Sequence, residues 1–340
     1  MRPHSDPGRR KPGLARFMTE TIAITGATGF AGGHLVAELV ARGQRVRALV
    51  RKPGSVALPA GVETVVGSLS DHEALKALLK GADAAVHLAG AIAATTREGY
   101  FTVNADGTRA VISAAHAAAL RRLIHVSSLA AREPHLSAYA ASKRAGEDLI
   151  LAEMPALNAM IIRPPAVYGP GDRGTLPLIR ALSGPIAAIP GRSDSRFSLI
   201  HGRDLARLIA NAIAAGQQGL HEVSDGRAGG YGWADLAAVA AALRGGPVRT
   251  VFLPRPVAEA VAHGAEAVAR LTGKPSLVNR GKIAELYHPD WVSRDDVLRL
   301  ADPVSLAAGL AEAVTWYRSA GWLPPGRRID RRSSNSGTPT

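Results

Sequence analysis

Short apolar runs alternate with amphipathic stretches along the first half of the chain. The first apolar run spans residues 21–25 and leads into a turn rich in glycine. Residues 31–42 then place apolar side chains at helical spacing and end before Gly43, a residue type that commonly terminates helices. This pattern predicts a strand, a tight turn and a helix in immediate succession.

Five further short runs are rich in Val, Ile or Leu, at residues 45–50, 62–66, 84–88, 123–126 and 159–162. Runs of this composition are typical of strands that are buried on both faces of a sheet. Helical patterns separate most of them, at residues 71–80, 108–119 and 139–153. The alternation predicts an α/β protein with a doubly wound parallel sheet.

The pattern changes near residue 163, where Gly, Pro and Arg become denser. We expect the sheet domain to span 18–170 and a smaller mixed α/β substrate lobe to span 171–323, with some of its segments returning to the sheet. Helical patterns in this lobe lie at 203–215, 233–243, 257–271 and 303–320. The polar ends at 1–17 and 324–340 are predicted to be a disordered basic arm and a disordered tail.

Composition narrows the class of protein. The 340 residues are 46% hydrophobic and 20% charged, enough to bury a large core, and they contain no apolar run long enough to span a membrane. The absence of cysteine excludes disulfides, thiolate catalysis and Cys-ligated zinc. It also fits a reducing compartment, so we expect a cytoplasmic protein. The eleven histidines show no metal-ligand spacing, so no metal site is predicted.

The formal charge of +13 first suggests a nucleic-acid partner. More than half of this excess, however, lies in the two polar ends, and aromatic residues make up only 4% of the chain. We therefore predict no nucleic-acid partner. The first seventeen residues lack the apolar stretch of a signal peptide. Met18 lies just before the first predicted strand and is one candidate for the true start of the protein. The alternative is that residues 1–17 form a genuine basic arm.

The glycine turn carries the first chemical signal. Gly26, Gly29 and Gly32 allow backbone N–H groups to approach a phosphate at a helix N-terminus, which predicts a dinucleotide site. Arg51 follows the second predicted strand, with no carboxylate there to bind a ribose 2′-hydroxyl. A guanidinium suits a 2′-phosphate, so we predict NADP as the cofactor, with NAD as the alternative. The other interpretation of Arg51 is a solvated surface residue.

A second signal follows later strands. Ser127 and Ser128 follow the fifth strand of the predicted sheet, and Tyr139 and Lys143 share a helix face at i and i+4. We expect the Lys143 ammonium to lower the pKa of the Tyr139 phenol and prepare it for proton transfer. Strand-end serines can instead be helix caps, and a Tyr–Lys pair can be a surface pair.

Together these motifs resemble the extended short-chain dehydrogenase/reductase group, which includes NAD-dependent epimerases and dehydratases, hydroxysteroid dehydrogenases and dihydroflavonol reductases. The marks of this resemblance are the turn at 25–32, the Ser–Tyr–Lys set, and the segments at 103–108, 163–171, 199–204 and 315–322. The resemblance implies a Rossmann-type fold and a homodimer formed through the helices at 108–119 and 139–153.

The resemblance also implies residue roles. Tyr139 would be the general acid or base, Lys143 would bind the nicotinamide ribose, and Ser128 would hold the substrate oxygen. The implied cofactor-binding residues are Gly26, Thr28, Gly29, Phe30 and Gly32 at the pyrophosphate, Arg51, Ser68 and Leu69 at the adenosine half, Leu88, Ala89 and Gly90 after the fourth strand, and Lys143 and Pro164. Ser68 stands where family members often have Asp.

The prediction of the substrate class depends on the residue at position 166, which is Ala. Sugar-nucleotide enzymes of the group typically have Asn at this position, and the segment 163–171 is more similar to the hydroxysteroid and sterol dehydrogenases. We therefore predict an oxidoreductase that interconverts a secondary alcohol and a ketone on a mostly apolar or alicyclic small molecule. The alternatives are a nucleotide-sugar epimerase or dehydratase with tightly bound NAD, and a cofactor-binding subunit or assembly factor of a larger complex.

Overall fold

A computed structural model describes residues 19–54, 56–154, 156–295 and 297–325. The predicted arm at 1–17 and nearly all of the predicted tail at 324–340 lie outside the described residues. The strands of the described part are β1 (Thr21–Thr25), β2 (Arg45–Val50), β3 (Glu63–Val66), β4 (Ala84–His87), β5 (Arg122–Val126), β6 (Asn158–Arg163), β7 (Ala166–Tyr168), β8 (Ile186–Pro190), β9 (Arg196–Phe197), β10 (Leu199–His201), β11 (Gly219–Glu222), β12 (Arg249–Leu253) and β13 (Asp290–Trp291).

Helices connect these strands. The α-helices are α1 (Phe30–Ala41), α2 (His72–Leu79), α3 (Arg97–Phe101), α4 (Gly107–Ala117), α5 (Ala138–Glu153), α6 (Leu176–Leu182), α7 (Gly202–Ala215), α8 (Trp233–Arg244), α9 (Arg255–Thr272), α10 (Arg280–Leu286) and α11 (Leu306–Ser319). A π-helical turn at Thr102–Asp106 joins α3 to α4, and a 3₁₀ turn at Leu129–Arg132 follows β5.

The main sheet has seven parallel strands in the order β11-β6-β5-β4-β1-β2-β3. The predicted doubly wound parallel sheet is confirmed. Ile24 in β1 is level with Ala48 in β2 and with Val86 in β4, so β1 is the centre from which the chain winds in both directions. In such sheets the ligand crevice lies where the strand order reverses, at the carboxyl ends of the strands.

The third strand differs from the prediction. The apolar run at 62–66 predicts a strand buried on both faces, but β3 is an edge strand, and Val66 in it is 55% exposed. Glu63 in β3 instead forms an ion pair with Arg47 of β2. An apolar run does not reveal whether a strand has neighbours on one side or on both, and β3 has one neighbour. The fourth strand also ends at His87, one residue earlier than predicted.

Helices cover both faces of the sheet. On one face, Leu35 and Leu39 of α1 pack with Leu205 and Ile209 of α7 against β1. On the other face, apolar side chains of α2, α4 and α5 form a second core: Leu75, Leu78, Val111, Ala115 and Ile150. Both α7 and β11 come from beyond residue 170, so the chain returns to the sheet after it has entered the second lobe.

The second lobe has a core of its own, built from Tyr168, Ile189, Trp233, Leu310 and Tyr317 with their neighbours. Trp316 and Trp322 meet edge to face at its margin, with ring centroids 4.9 Å apart. Three of the four tryptophans, Trp233, Trp316 and Trp322, therefore pack in this lobe, and Trp291 lies in β13 beside Arg132. Arg132, in the 3₁₀ turn after β5, donates to the main-chain carbonyls of Asp290 and Val292 at 2.5 and 2.9 Å, so the segment around β13 is held at the carboxyl edge of the sheet.

Candidate active site

The glycine turn is pressed against the end of β4. Gly26 has φ of +79°, and a Cβ atom there would lie 2.6 Å from the backbone nitrogen of Ala89. At Gly32 a Cβ atom would lie 2.1 Å from the carbonyl oxygen of Gly26. Both positions therefore exclude any side chain, and their spacing brings the first turn of α1 directly onto the loop. Gly29 N–H donates to the Gly26 carbonyl at 3.0 Å and closes the turn.

The start of α1 presents unsatisfied N–H groups. Gly29 is its N-cap and offers no side-chain acceptor, and the first turn has no acidic residue. Thr28 is half-buried and Gly29 is exposed. Free N–H groups at an uncapped helix start suit a phosphate. The geometry of the turn therefore fits the pyrophosphate of a dinucleotide.

Phe30 lies in this turn, but its side chain points elsewhere. Its ring meets His34 edge to face at a centroid distance of 5.1 Å and lies close to Gly202 of α7. Phe30 can therefore contribute its backbone N–H to a phosphate, while its ring holds α1 against the start of α7.

A cleft lies beyond the turn, at the end of β2. It has a volume of about 290 Å³ and is lined by Thr28, Lys52, Leu58 and neighbouring residues. Arg51 precedes Lys52 in the chain and is exposed. The half-buried Ser68 has its hydroxyl 2.8 Å from that of Ser70. The structure thus brings Thr28 and the segment after β2 together at the site predicted for the adenosine half.

Leu69 follows β3, and its side chain fills the space beside Gly107 at the start of α4. Pro164, after β6, is buried, and its carbonyl accepts a hydrogen bond from Leu129 N–H at 2.8 Å. Leu69 is half-buried next to Ser68, whereas Pro164 supports the loop after β5. Their roles toward a cofactor stay predictions.

The segment after β4 connects the glycine turn to the predicted catalytic residues. Leu88 N–H donates to the Thr25 carbonyl at 3.1 Å. Gly90 is exposed, and a Cβ atom there would lie 3.1 Å from Asn104 Oδ1 and 3.8 Å from Lys143 Nζ. Gly90 thus lies directly beside Asn104 and Lys143, where a side chain would crowd the Asn104 amide.

Asn104, in the π-helical turn, fixes this segment to α5. Its amide accepts from Ala91 N–H at 2.8 Å and donates to Ser142 Oγ at 2.8 Å. The residue is 1% exposed. A single buried amide therefore holds the loop after β4 against the helix that carries Tyr139 and Lys143.

The structure brings Ser128, Tyr139 and Lys143 together at the carboxyl edge of the sheet. Ser128 caps the 3₁₀ turn, its hydroxyl accepts from Ala130 N–H at 3.2 Å, and it lies near enough to the Tyr139 phenol to influence its protonation. Tyr139 lies in the first turn of α5, whose N-cap is Ser137. One turn later Lys143 is 4% exposed, and its Nζ donates to the Val126 carbonyl at 2.8 Å.

The protonation of Tyr139 differs from the prediction. Burial raises the pKa of Tyr139, and the nearby Ser128 hydroxyl opposes this shift. The expectation that Lys143 lowers this pKa is wrong for the free protein, because desolvation dominates and the ammonium is held at the Val126 carbonyl. Tyr139 is therefore a neutral phenol at pH 7, the form that can donate a proton. Burial also lowers the pKa of Lys143 to about 8, against the opposing charge of Glu147.

The histidines near the site are structural. His87 Nδ1 lies 2.7 Å from Thr25 Oγ1 and its Nε2 lies 3.1 Å from Thr108 Oγ1, and burial lowers its pKa to about 3. His87 is thus a neutral core residue. His201 caps the start of α7, and Asp204 in the first turn accepts from Val304 N–H at 2.7 Å. Both order the junction of the two lobes.

Three residues of the site were not found from the sequence. Tyr100 of α3 lies with its ring 6.3 Å from that of Tyr139, and Lys282 and Glu285 of α10 approach the start of α5. Helix α10 was not predicted. Its one local signal is Asn279, a residue typical of N-caps, which accepts from Lys282 N–H at 2.9 Å.

A parallel sheet whose switch point carries a glycine turn is typical of dinucleotide-dependent enzymes. The chain belongs to the NAD dependent epimerase/dehydratase family, whose model matches residues 22–224. It is an NAD(P)-dependent oxidoreductase or epimerase/dehydratase. The predicted resemblance is confirmed.

Individual relatives extend this comparison. The chain is 44% identical over 308 residues to a ceramide reductase of Caulobacter vibrioides, covering 89% of this chain and 96% of that protein. It is 28% identical over 246 residues to a 3 beta-hydroxysteroid dehydrogenase/Delta 5-->4-isomerase of Mycobacterium tuberculosis, covering 61% of this chain and 66% of that protein. Among solved structures, MoeE5 in complex with UDP-glucose and NAD has a similar fold, with a TM-score of 0.67, 24% identity and coverage of 88% and 99% of the two chains.

Two further features of the described residues bear on partners. None of the described helices combines the length and the apolar character that crossing a membrane requires. Within the same residues, no three His, Asp or Glu side chains gather as a metal site would require.

We expect Gly32→Ala to weaken NADPH binding by at least about tenfold and to lower the free energy of unfolding by about 1–3 kcal/mol, because its Cβ meets the Gly26 carbonyl. Isothermal titration calorimetry and urea unfolding measure the two effects. The matched control is Gly33→Ala on the same helix, where a Cβ meets nothing within 4 Å. Equal losses of NADPH affinity and of unfolding free energy in the two variants would contradict the close approach of the turn and the helix.

Proposed function

We propose that this protein is an NADP(H)-preferring reductase that interconverts a ketone and a secondary alcohol on an apolar substrate. The observation that carries the proposal is the neutral, half-buried Tyr139 phenol, which lies near Ser128 at the sheet edge that also carries the glycine turn. A neutral phenol in a crevice of this kind can donate its proton to an oxygen on which negative charge develops.

Three residues of the chain have distinct roles in this reaction. Tyr139 Oη donates its proton to the carbonyl oxygen as negative charge develops there, and Ser128 donates a second hydrogen bond to the same oxygen. Lys143, one turn after Tyr139, donates to the Val126 carbonyl and has further N–H donors for a ribose hydroxyl. When bound, the dinucleotide supplies the hydride.

The apolar character of the substrate rests on two supports. The loop after β4 reads Ala-Ile-Ala-Ala at residues 91–94, and Ile92 is 59% exposed beside the segment that Asn104 fixes. Exposed apolar side chains next to a crevice suit an apolar ligand. The two curated relatives described above are called a ceramide reductase and a hydroxysteroid dehydrogenase, names that denote lipid substrates.

A panel of substrates tests the proposal. We expect the purified protein to oxidise NADPH, followed by absorbance, with long-chain 3-oxo compounds or steroid ketones. Conversion of a UDP-sugar with no net change in NADPH would instead establish an epimerase. Stable co-purification with a large complex, with turnover of no member of the panel, would favour the binding-subunit alternative. The homodimer through α4 and α5 and the cytoplasmic location stay predictions.

Arg51 is proposed to select NADP(H). We expect Arg51→Ala to weaken NADPH binding by about 10- to 100-fold, the value of a charge-assisted hydrogen bond, and to leave NADH binding within about twofold. Fluorescence titration with both cofactors measures the ratio. Arg45→Ala is the control, since Arg45 is exposed at the opposite end of the same strand. A similar loss of affinity for NADPH and for NADH would contradict the assignment.

A further inference from the structure

Helix α10 is fixed directly beside the proton donor. A Cβ atom at Gly281 would lie 2.7 Å from the Cβ atom of Ser137, so the start of α10 packs on the start of α5 without intervening side chains. Ser137 is the N-cap of α5 and precedes Tyr139 by two positions. Any side chain that α10 directs toward this contact therefore lies close to Tyr139.

Glu285 is the buried anchor of this contact. Its side chain is 5% exposed and accepts hydrogen bonds from Ser137 Oγ at 2.5 Å and from Lys282 Nζ at 3.1 Å. Its main-chain carbonyl accepts from the Trp291 indole at 2.7 Å. Buried carboxylates need such partners, since a lone buried charge is costly. Glu285 thus holds Lys282 in place.

Lys282 differs from its partner in exposure. Its side chain is 52% exposed, although it lies within electrostatic reach of both Tyr139 and Tyr100. About half of the side chain is therefore open to solvent. An ammonium has three N–H donors, and Glu285 is the acceptor for one of them among the described residues. Two donors remain available to a ligand bound near Tyr139.

Tyr100 completes the wall opposite the donor. It is 6% exposed, its ring lies 6.3 Å from that of Tyr139, and its hydroxyl lies 3.5 Å from Asn279 Nδ2 at the start of α10. The Tyr139 phenol thus has both an aromatic ring and an ammonium close to it. The proton transfer described above does not use this ammonium.

We propose that Lys282 is a substrate-binding residue that donates a hydrogen bond to a second oxygen of the substrate, close to the reacting ketone. This inference rests on the proposed function and specifies its substrate class as 3-oxoacyl compounds, in which an acid or amide carbonyl carbon lies two carbons from the ketone. Glu285 and Ser137 position the ammonium, and Tyr139 acts on the ketone oxygen itself.

Three compounds with the same reacting carbon test the proposal: 3-oxododecanoate, N-butyl-3-oxododecanamide and dodecan-3-one. We expect Lys282→Met to weaken binding of the first two by about 10- to 100-fold, and Lys282→Arg to retain most of that binding. Binding of dodecan-3-one changes by less than about twofold, because it has no second oxygen. Calorimetry with oxidised NADP present measures these affinities without turnover.

Each result bears on the proposal. If Lys282→Met loses affinity for both 3-oxoacyl compounds, the acyl oxygen is the acceptor. If it loses affinity for the acid alone, the substrate is a carboxylate. Equal loss for all three compounds, or loss for none, would overturn the role of Lys282. If the wild-type protein binds the compounds but reduces none of them, the proposed function fails while Lys282 remains supported.

A control separates binding from folding. Lys282→Met leaves Glu285 without its cation, so the double variant Lys282→Met with Glu285→Gln is measured alongside it. The introduced amide is uncharged and can still accept the hydrogen bond from Ser137. We expect the double variant to melt close to the wild type and to show the same selective loss as the single variant. Recovery of 3-oxoacyl binding in the double variant would contradict the proposal.

Discussion

Replacing Tyr139 by Phe is expected to lower the rate of ketone reduction by about 10²- to 10⁴-fold, the range for loss of a general acid. The hydroxyl is the only part removed, and the ring continues to pack against Tyr100. Binding of NADPH should stay within about twofold, because the glycine turn and Lys143 are unchanged. Single-turnover stopped-flow absorbance measures the chemical step, and calorimetry measures cofactor binding.

Tyr100→Phe is the matched control for this prediction. Its ring lies beside that of Tyr139, but its hydroxyl faces Asn279 at 3.5 Å and not Ser128. We expect this variant to keep most of the activity. A Tyr139→Phe protein with full activity, or equal losses in the two variants, would remove Tyr139 from its proposed role.

Replacing Arg163 by Met is expected to lower the free energy of unfolding by about 3–5 kcal/mol, the cost of leaving a buried charge unpaired. The Arg163 guanidinium binds both carboxylate oxygens of Glu147, at 2.8 and 2.6 Å, and the Glu147 side chain is 0% exposed. Glu147 lies one turn after Lys143 on α5, so this pair also fastens the catalytic helix to β6. Urea unfolding measures the change.

The control for this second prediction is on the same helix. Arg144 and Asp148 form an i,i+4 pair at 2.7 Å, with side chains 44% and 55% exposed. Exposed pairs of this kind contribute little, so Arg144→Met should change the free energy of unfolding by less than about 0.5 kcal/mol. The double variant Arg163→Met with Glu147→Leu should recover part of the loss. Equal effects of Arg163→Met and Arg144→Met would contradict the account of the buried pair.

The sequence predicts what is local or periodic. The spacing of Gly26, Gly29 and Gly32 implies a tight loop onto a helix, and the structure gives each glycine a contact or a backbone angle that fits the prediction. The i, i+4 spacing likewise places Tyr139 and Lys143 on one face of a helix. Both predictions depend on residues close together in the chain, where backbone geometry decides the outcome.

The sequence does not predict what depends on distant segments. The pKa of Tyr139 follows from burial under α10, and the contact of Glu285 with Ser137 joins residues 148 positions apart. The edge position of β3 likewise depends on the order of strands, which an apolar run does not encode. Lys282 was missed for the same reason, because a lone Lys near a helix start has no local mark of function.

The central claim is that a hydride passes between the dinucleotide and a ketone held at Tyr139. NADPH labelled with deuterium at the transferred C4 position tests it most directly, in a single turnover with 3-oxododecanoate whose product is analysed by mass spectrometry. The account predicts one deuterium on the new carbinol carbon for each NADPH consumed. A product that carries no deuterium, formed while NADPH stays unchanged, would contradict it.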